Sequence, residues 1–258
     1  MTSENRETFT GQYAEDFEIW SEFYDSSYEM DVLREYAYFS EKKVFEAGCG
    51  SGRLSFRIAD HCGRLVSVDI LPSLISLCQQ RLVENHSDLI DTLRFEVQDA
   101  TSLPYPDDHF DAILDGWTFS AFEDPEEAAA EYKRIVPDDS PFYAIQVRGG
   151  SEYQQILDKF IPDEKLEKWT KGLSIDEEMV EYFGEPLVKE EIVTPYYFKS
   201  LDEAFEAYMF NFEEWLGMEL SESEQQQLRK AISEYDNGDE IRIDEYAYFM
   251  EFSLSEKG

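Results

Sequence analysis

Basic residues are scarce in this chain of 258 residues: 22 lysines and arginines stand against 58 aspartates and glutamates, a formal net charge of -36. A field of that sign repels phosphate backbones and anionic lipid, so nucleic acid and membranes are not expected partners. The acid is spread along the whole chain. It reads either as a solvated surface that keeps the protein soluble or as adaptation to high salt, a halophile's habit, where screening relieves self-repulsion. Cysteine is scarce too. Cys49, Cys62 and Cys78 are odd in number and form no C-x-x-C, which argues against a disulfide scaffold and a zinc site, and no metal is expected. No apolar run approaches the ~20 residues of a membrane-spanning helix. The opening MTSENRETFTGQYAEDFE is acidic and polar, unlike a signal or transit peptide, and the expected location is cytoplasmic.

What the chain has is a core and a rhythm. Hydrophobic residues make up 42% of it, enough for a core in one large domain or one and a half. Aromatics gather in residues 12–39, where Phe17, Trp20 and Tyr24 follow i, i+3, i+7 and predict an amphipathic helix. Short apolar runs then alternate with helical patterns. Strands are predicted at Val44–Ala47, Leu65–Val68, Leu93–Val97, Phe110–Leu114 and Phe142–Val147, and helices at Arg53–Asp60, Pro72–Glu84 and Pro125–Ile135. Such alternation predicts an α/β fold, a mostly parallel sheet with helices on both faces. Residues 151–185 read as mostly helical. Ile192–Phe198 reads as a strand, and its Pro195 places it at a sheet edge. Ser200–Glu203 and Ser221–Glu224 fit the capping-box pattern. The terminal strand changes phase between Ile243 and Tyr246, which predicts a bulge or break near Asp244–Glu245.

The chemistry gathers at "VFEAGCGSGR", a glycine turn after the first strand. Three tenants compete for it. A nucleoside triphosphate loop needs G-x-x-x-x-G-K-[ST], and neither the lysine nor the spacing is present. A dinucleotide turn needs G-x-G-x-x-G, and here the third glycine comes one residue early. The spacing is G-x-G-x-G, with Glu46 two residues ahead of Gly48.

That pattern resembles motif I of the class I S-adenosylmethionine-dependent methyltransferases, (D/E)-x-G-x-G-x-G. Asp69 ends the second strand, where a carboxylate accepts from both ribose hydroxyls. Asp99, with Ala100 beside it, follows the third, where that family accepts from the adenine amino group. The "LPYPDDHFD" run is similar to the family's small-molecule branch, the methyltransferase type 11-like enzymes. The resemblance implies a Rossmann-like seven-stranded sheet whose last strand is antiparallel. It implies an N-terminal helical lid (1–40), a cofactor-binding core (41–150), and C-terminal helices with the last two strands completing the same sheet (151–258). The cofactor it implies is S-adenosyl-L-methionine, held by Glu46, Gly48, Cys49, Gly50, Gly52, Arg53, Asp69, Ile70, Asp99, Ala100 and Asp115.

The acceptor side is less defined. Trp117, Phe119 and Phe122 after strand four, with Trp20 and Tyr24 from the lid, are candidates for an acceptor pocket or are plain core. His109, His61 and His86 all fall away from the carboxyl ends of the strands, so no histidine base is expected. Asp115 reads as a base, a holder of the methionine amino group, or an ordinary strand-end cap. Arg148 closes strand five and reads as a partner for an acidic acceptor or a structural ion pair. The asparagine-proline-proline-aromatic motif of base and amide N-methylating enzymes is absent, which argues against a DNA or glutamine acceptor. The expected function is methyl transfer to a small molecule, by positioning, in a monomer or homodimer. Two rivals stay open: an NAD-dependent oxidoreductase, and a non-catalytic S-adenosylmethionine-binding module.

Overall fold

The first five strands of the sheet form on short apolar runs; the third lies at an edge, where its Arg94 and Val97 are exposed, and the others are covered on both faces. The five are β1 (Lys43–Ala47), β2 (Arg64–Asp69), β3 (Leu93–Val97), β4 (Ala112–Gly116) and β5 (Ser140–Arg148). A computed structural model describes residues 11–163, 165–166 and 175–255. In it β6 (Val188–Phe198) and β7 (Ile241–Leu254) join the same seven-stranded sheet, in the order β3-β2-β1-β4-β5-β7-β6. β1 pairs in parallel with β2 on one side and β4 on the other, and β7 is antiparallel to both β5 and β6. The strand order reverses between β1 and β4, so a crevice opens there beyond their carboxyl ends.

The helices are α1 (Gly11–Glu22), α2 (Ser27–Tyr36), α3 (Ser55–Ile58), α4 (Pro72–Asn85), α5 (Pro125–Arg134), α6 (Glu152–Asp158), α7 (Ile175–Phe183), α8 (Leu201–Phe210) and α9 (Glu222–Ser233). α4 turns Leu74, Ile75, Cys78 and Leu82 to the core on one stripe. α5 begins as its sequence asks: Pro125 stands in the first turn, and the Asp124 side chain accepts from the Glu127 N–H. Ser221 and Glu224 form the full reciprocal capping box of α9. At α8 only half of it forms. The Ser200 hydroxyl accepts from the Glu203 N–H, but the Glu203 carboxylate accepts from Lys199 rather than from Ser200.

Three expectations are corrected here. The predicted helix Arg53–Asp60 is only the short α3 followed by a 3-10 turn, Ala59–His61. The aromatic N-terminal stretch is two helices, because residues 23–25 leave the helix to dock on β6. The N–H of Asp25 donates to Pro195 C=O at 2.9 Å, and that of Tyr197 to Phe23 C=O at 2.8 Å. β6 is thus an outermost strand, as Pro195 implied, and part of its edge is covered. Finally, β7 has no bulge. Its register against β5 and β6 runs unbroken. From Ile241 to Phe249 only the odd residues are buried, and from Met250 onward the even ones are. The cause is cover, not geometry. Met250, Phe252 and Leu254 meet the cluster that holds α5 and α7, while Tyr246 and Tyr248 on the same face stay half-exposed.

Two core clusters sandwich the central strands. Val44, Leu65 and Leu114 face α3 and α4, while Phe45, Val66 and Ile113 face α5 and α7. A third cluster is rich in aromatics. There Trp20 and Tyr24 pack against Tyr153, Tyr196, Tyr208 and Phe212. This cluster fastens the N-terminal helices over the carboxyl ends of the strands.

Candidate cofactor and acceptor site

β1 runs directly into the glycine turn. Gly48 has φ +59, and a Cβ there would stand 2.1 Å from the Thr118 hydroxyl oxygen, so the loop after β4 lies against bare backbone. Gly52 has φ +82, and its Cβ would stand 2.5 Å from the Phe56 ring. Asp69 ties the turn to β2. One carboxylate oxygen accepts from the Gly50 N–H at 3.0 Å and the other from the Leu71 N–H at 2.9 Å. Burial pushes the Asp69 carboxyl above the usual carboxylate range, and the backbone N–H groups oppose this. A carboxylate has about four lone-pair sites, and these backbone groups do not use all of them. After β3, the Asp99 carboxylate accepts from the N–H and hydroxyl of Thr101, at 3.0 and 2.7 Å.

These elements surround a cavity of about 390 Å³ at the crevice between β1 and β4. That is within the range of small-ligand sites, roughly 300–1,000 Å³. Of the residues expected to hold the cofactor, Gly48, Cys49, Gly50, Arg53, Asp69, Ile70, Asp99 and Ala100 line it. Of those expected at the acceptor, Trp20, Tyr24, Trp117 and Phe122 line it. Trp117 sits at φ +68, uncommon for a bulky residue, and its indole N–H has no partner among the described residues.

Five expected residues do not reach the cavity. Glu46 shares the β1 face with Val44, toward α3. It is buried, and one of its oxygens accepts from the Ser55 and Ser67 hydroxyls at 2.5 and 2.6 Å. It braces the turn from behind. Gly52 turns the chain away and packs on Phe56. Asp115 is fully buried with both oxygens engaged. One accepts from the N–H groups of Thr118 and Phe119 and from the Gln146 amide, at 2.9, 3.1 and 2.9 Å, and the other from the Tyr132 hydroxyl at 2.8 Å. Burial pushes its carboxyl up to about 6. It is neither a base nor a ligand for the methionine amino group. Phe119 is buried against Tyr132 and Phe183. Arg148 stands three residues past Ile145, which is level with Gly116 at the end of β4. It pairs with Glu191 at 3.3 Å and lies over the Tyr246 and Tyr248 rings, so it does not serve an acidic acceptor.

The sequence reading missed Trp215. It lies in a π-helical turn, Asn211–Trp215, that continues α8. The buried Asn211 side chain donates to Ala207 C=O and to the Tyr153 hydroxyl, at 2.8 and 2.9 Å, and the Leu216 N–H reaches back to Asn211 C=O. An amide inserted into the helical ladder widens it. The turn carries Trp215 to the cavity, edge-on to Trp20 with ring centres 4.7 Å apart. Periodicity gives no sign of an i+5 turn.

Burial pushes the Glu46 carboxyl up to about 7 from its usual 4.5, against the two serine hydroxyls that lower it. Below about pH 4.5 it is neutral folded and unfolded alike. Between about pH 4.5 and 7 the unfolded carboxyl is ionised while the folded one keeps its proton, so stability is lost across that window and levels off above it. Glu46→Gln should therefore remove a loss of order 3 kcal/mol between about pH 4 and pH 8. Urea midpoints of both proteins across that range measure it, and parallel curves would refute it.

Comparison with known proteins places this geometry. Residues 45–144 match the model of a methyltransferase domain family. The uncharacterized methyltransferase YcgJ of Bacillus subtilis is 27% identical over 126 residues, 47% of this chain and 46% of that one. The demethylmenaquinone methyltransferase of Deinococcus radiodurans is 28% identical over 99 residues, 38% of this chain and 39% of that one. The chain thus spans less than half the length of these relatives. Among solved structures, a chain from the complex between the Trm112 methyltransferase activator of Haloferax volcanii and a methyltransferase superposes with a TM-score of 0.59. It is 17% identical, and 98% of each chain is covered. The likeness in structure is one of fold.

Proposed function

We propose that this chain, whose residues 45–144 belong to the methyltransferase domain family and carry the class I S-adenosylmethionine-dependent type of site, transfers a methyl group from S-adenosylmethionine to a small-molecule acceptor. The observation that carries this is convergence: the glycine turn, Asp69 and Asp99, far apart in sequence, line one cavity at the strand-order reversal. The residues fit the cofactor. The bare turn admits the methionine part, Asp69 keeps lone pairs for the ribose hydroxyls, and Asp99 with Ala100 lies where the adenine edge would sit. When bound, the cofactor supplies a methyl group on a sulfonium, open to in-line displacement.

The chain's own contribution is position and dryness. Trp20, Tyr24, Trp117 and Trp215 wall the acceptor end with aromatic surface, and α1 roofs it. No histidine lines the cavity among the described residues, and Asp115 is spent on the loop. The carboxylates of Glu123, Asp124 and Glu127 also line it and are the groups left to take a proton from the acceptor. The aromatic walls favour an apolar, uncharged molecule. Relatives described as demethylmenaquinone and phytyl-naphthoquinone methyltransferases point the same way. The dinucleotide rival is left without support. The lack of a histidine among the described lining residues keeps the non-catalytic binding module as a second reading.

Calorimetry with S-adenosylhomocysteine and with NAD tests the cofactor. The expected result is micromolar binding of the first, about -8 kcal/mol, and none of the second. The reverse would overturn the reading. An acceptor screen with methyl-labelled cofactor then separates the enzyme from the binding module, through turnover or its absence.

A further inference from the structure

Arg53 is the one basic side chain among the described residues that line the cavity; Asp69, Asp99, Glu123, Asp124 and Glu127 are its other charged groups. A lone guanidinium among carboxylates marks the only place there where a ligand's anionic group is welcome. Its setting is built rather than incidental. Nη1 donates to the Glu29 carboxylate, and the guanidinium carbon lies 4.7 Å from the Tyr24 ring centre and 5.2 Å from that of Trp117. Glu29 is fully buried on α2, and its second oxygen accepts from the Tyr24 hydroxyl at 3.0 Å. Tyr24 lies in the segment docked on the β6 edge, which fixes this carboxylate in turn.

The arrangement leaves donors over. A guanidinium carries five N–H groups in a planar fork. Nη1 uses one on Glu29, and Nη2 makes no hydrogen bond among the described residues. A Cβ placed on Gly116 would stand 3.8 Å from Nη2, so this edge of the fork lies at the end of β4, beside the glycine turn. A half-buried fork with unused N–H groups suits a carboxylate, which it can meet with two parallel bonds. The methionine part of the cofactor has one, and Asp69 and Asp99 repel it from the other end of the cavity.

Resting on the methyl-transfer reading above, we propose that Arg53 receives the carboxylate of the cofactor's methionine part, and that Glu29 and Tyr24 are positioning residues that hold Arg53 in place for it. Cofactor recognition is then completed from the N-terminal helices, by a buried acid that never touches the ligand. The pair also offsets the cost of burying the Glu29 carboxylate, which is the fully buried partner.

Two ligands separate this from a merely structural ion pair. S-adenosylhomocysteine carries the amino acid part; 5′-methylthioadenosine keeps the adenosine and sulfur and lacks it. Calorimetry should show Arg53→Gln binding S-adenosylhomocysteine at least tenfold more weakly than the wild type. Glu29→Gln should lose severalfold, Glu29→Asp less, and all three should bind methylthioadenosine like the wild type. Because a lone change strands a buried charge, the double variant Glu29→Gln/Arg53→Met serves as the folding control. It should show the same selective loss. Equal losses for both ligands, or no loss for either, would overturn the proposal. A wild type that binds neither ligand would instead overturn the methyl-transfer reading beneath it.

Discussion

Asp115→Ala is expected to lower the free energy of unfolding by about 4 kcal/mol or more, the largest effect of any single change near the site. Four donors converge on that carboxylate: the Thr118 and Phe119 N–H groups, the Gln146 amide and the Tyr132 hydroxyl. Phe119, Gln146 and Tyr132 are buried and Thr118 is half-buried, and a buried donor left without its acceptor costs about 1–3 kcal/mol. Relaxation recovers part of the sum, yet the remainder falls in the range reserved for broken buried networks. Asp115→Asn should cost far less, roughly 1–2 kcal/mol, because its carbonyl still accepts from the loop and the Tyr132 hydroxyl can turn to accept from its amide. Urea unfolding followed by circular dichroism measures both. A loss below 1 kcal/mol for the alanine variant would mean the carboxylate does not organise the loop after β4.

The second large effect falls on binding. Asp69→Ala should weaken S-adenosylhomocysteine by roughly 10- to 100-fold, the 1.5–3 kcal/mol carried by hydrogen bonds to a charged group. Two losses combine. The ribose hydroxyls lose their acceptor, and Gly50 loses the carboxylate that pins the glycine turn to β2. Asp69→Asn keeps one acceptor oxygen and should fall between. Calorimetric titration reads the affinities, and thermal melts without ligand show how far the fold itself is disturbed. An unchanged affinity in the alanine variant would detach Asp69 from the ribose.

Much of this was legible in the sequence, and what was not has physical causes. Central strands announce themselves because burial on both faces makes most of their residues apolar, and the glycine spacing discriminates among cofactors because the backbone path does. Glu46 misled because a strand alternates its faces. Two residues from Gly48 in sequence, it points to α3 and not to the ligand. Arg148 misled because strands of one sheet end at different levels, a matter of register that spacing does not carry. The phase change in β7 was real, but it records where α7 begins to cover the sheet. Glu29 and Trp215 were invisible for a common reason: each matters only through a contact made after the chain has folded back on itself.

The widened turn at Asn211–Trp215 has a consequence for how the cavity is closed. Active-site covers are commonly loops, and a loop must lose its conformational freedom each time a ligand is bound. Here the covering Trp215 rides on the unbroken continuation of α8, anchored through Asn211 to Tyr153. Its ordering is settled when the protein folds. Its aim also depends on a count of residues, because each residue in a helix turns the next by about 100°. Closing the widened turn to the ordinary ladder with all five residues kept would swing the indole by roughly a quarter turn, away from the cavity.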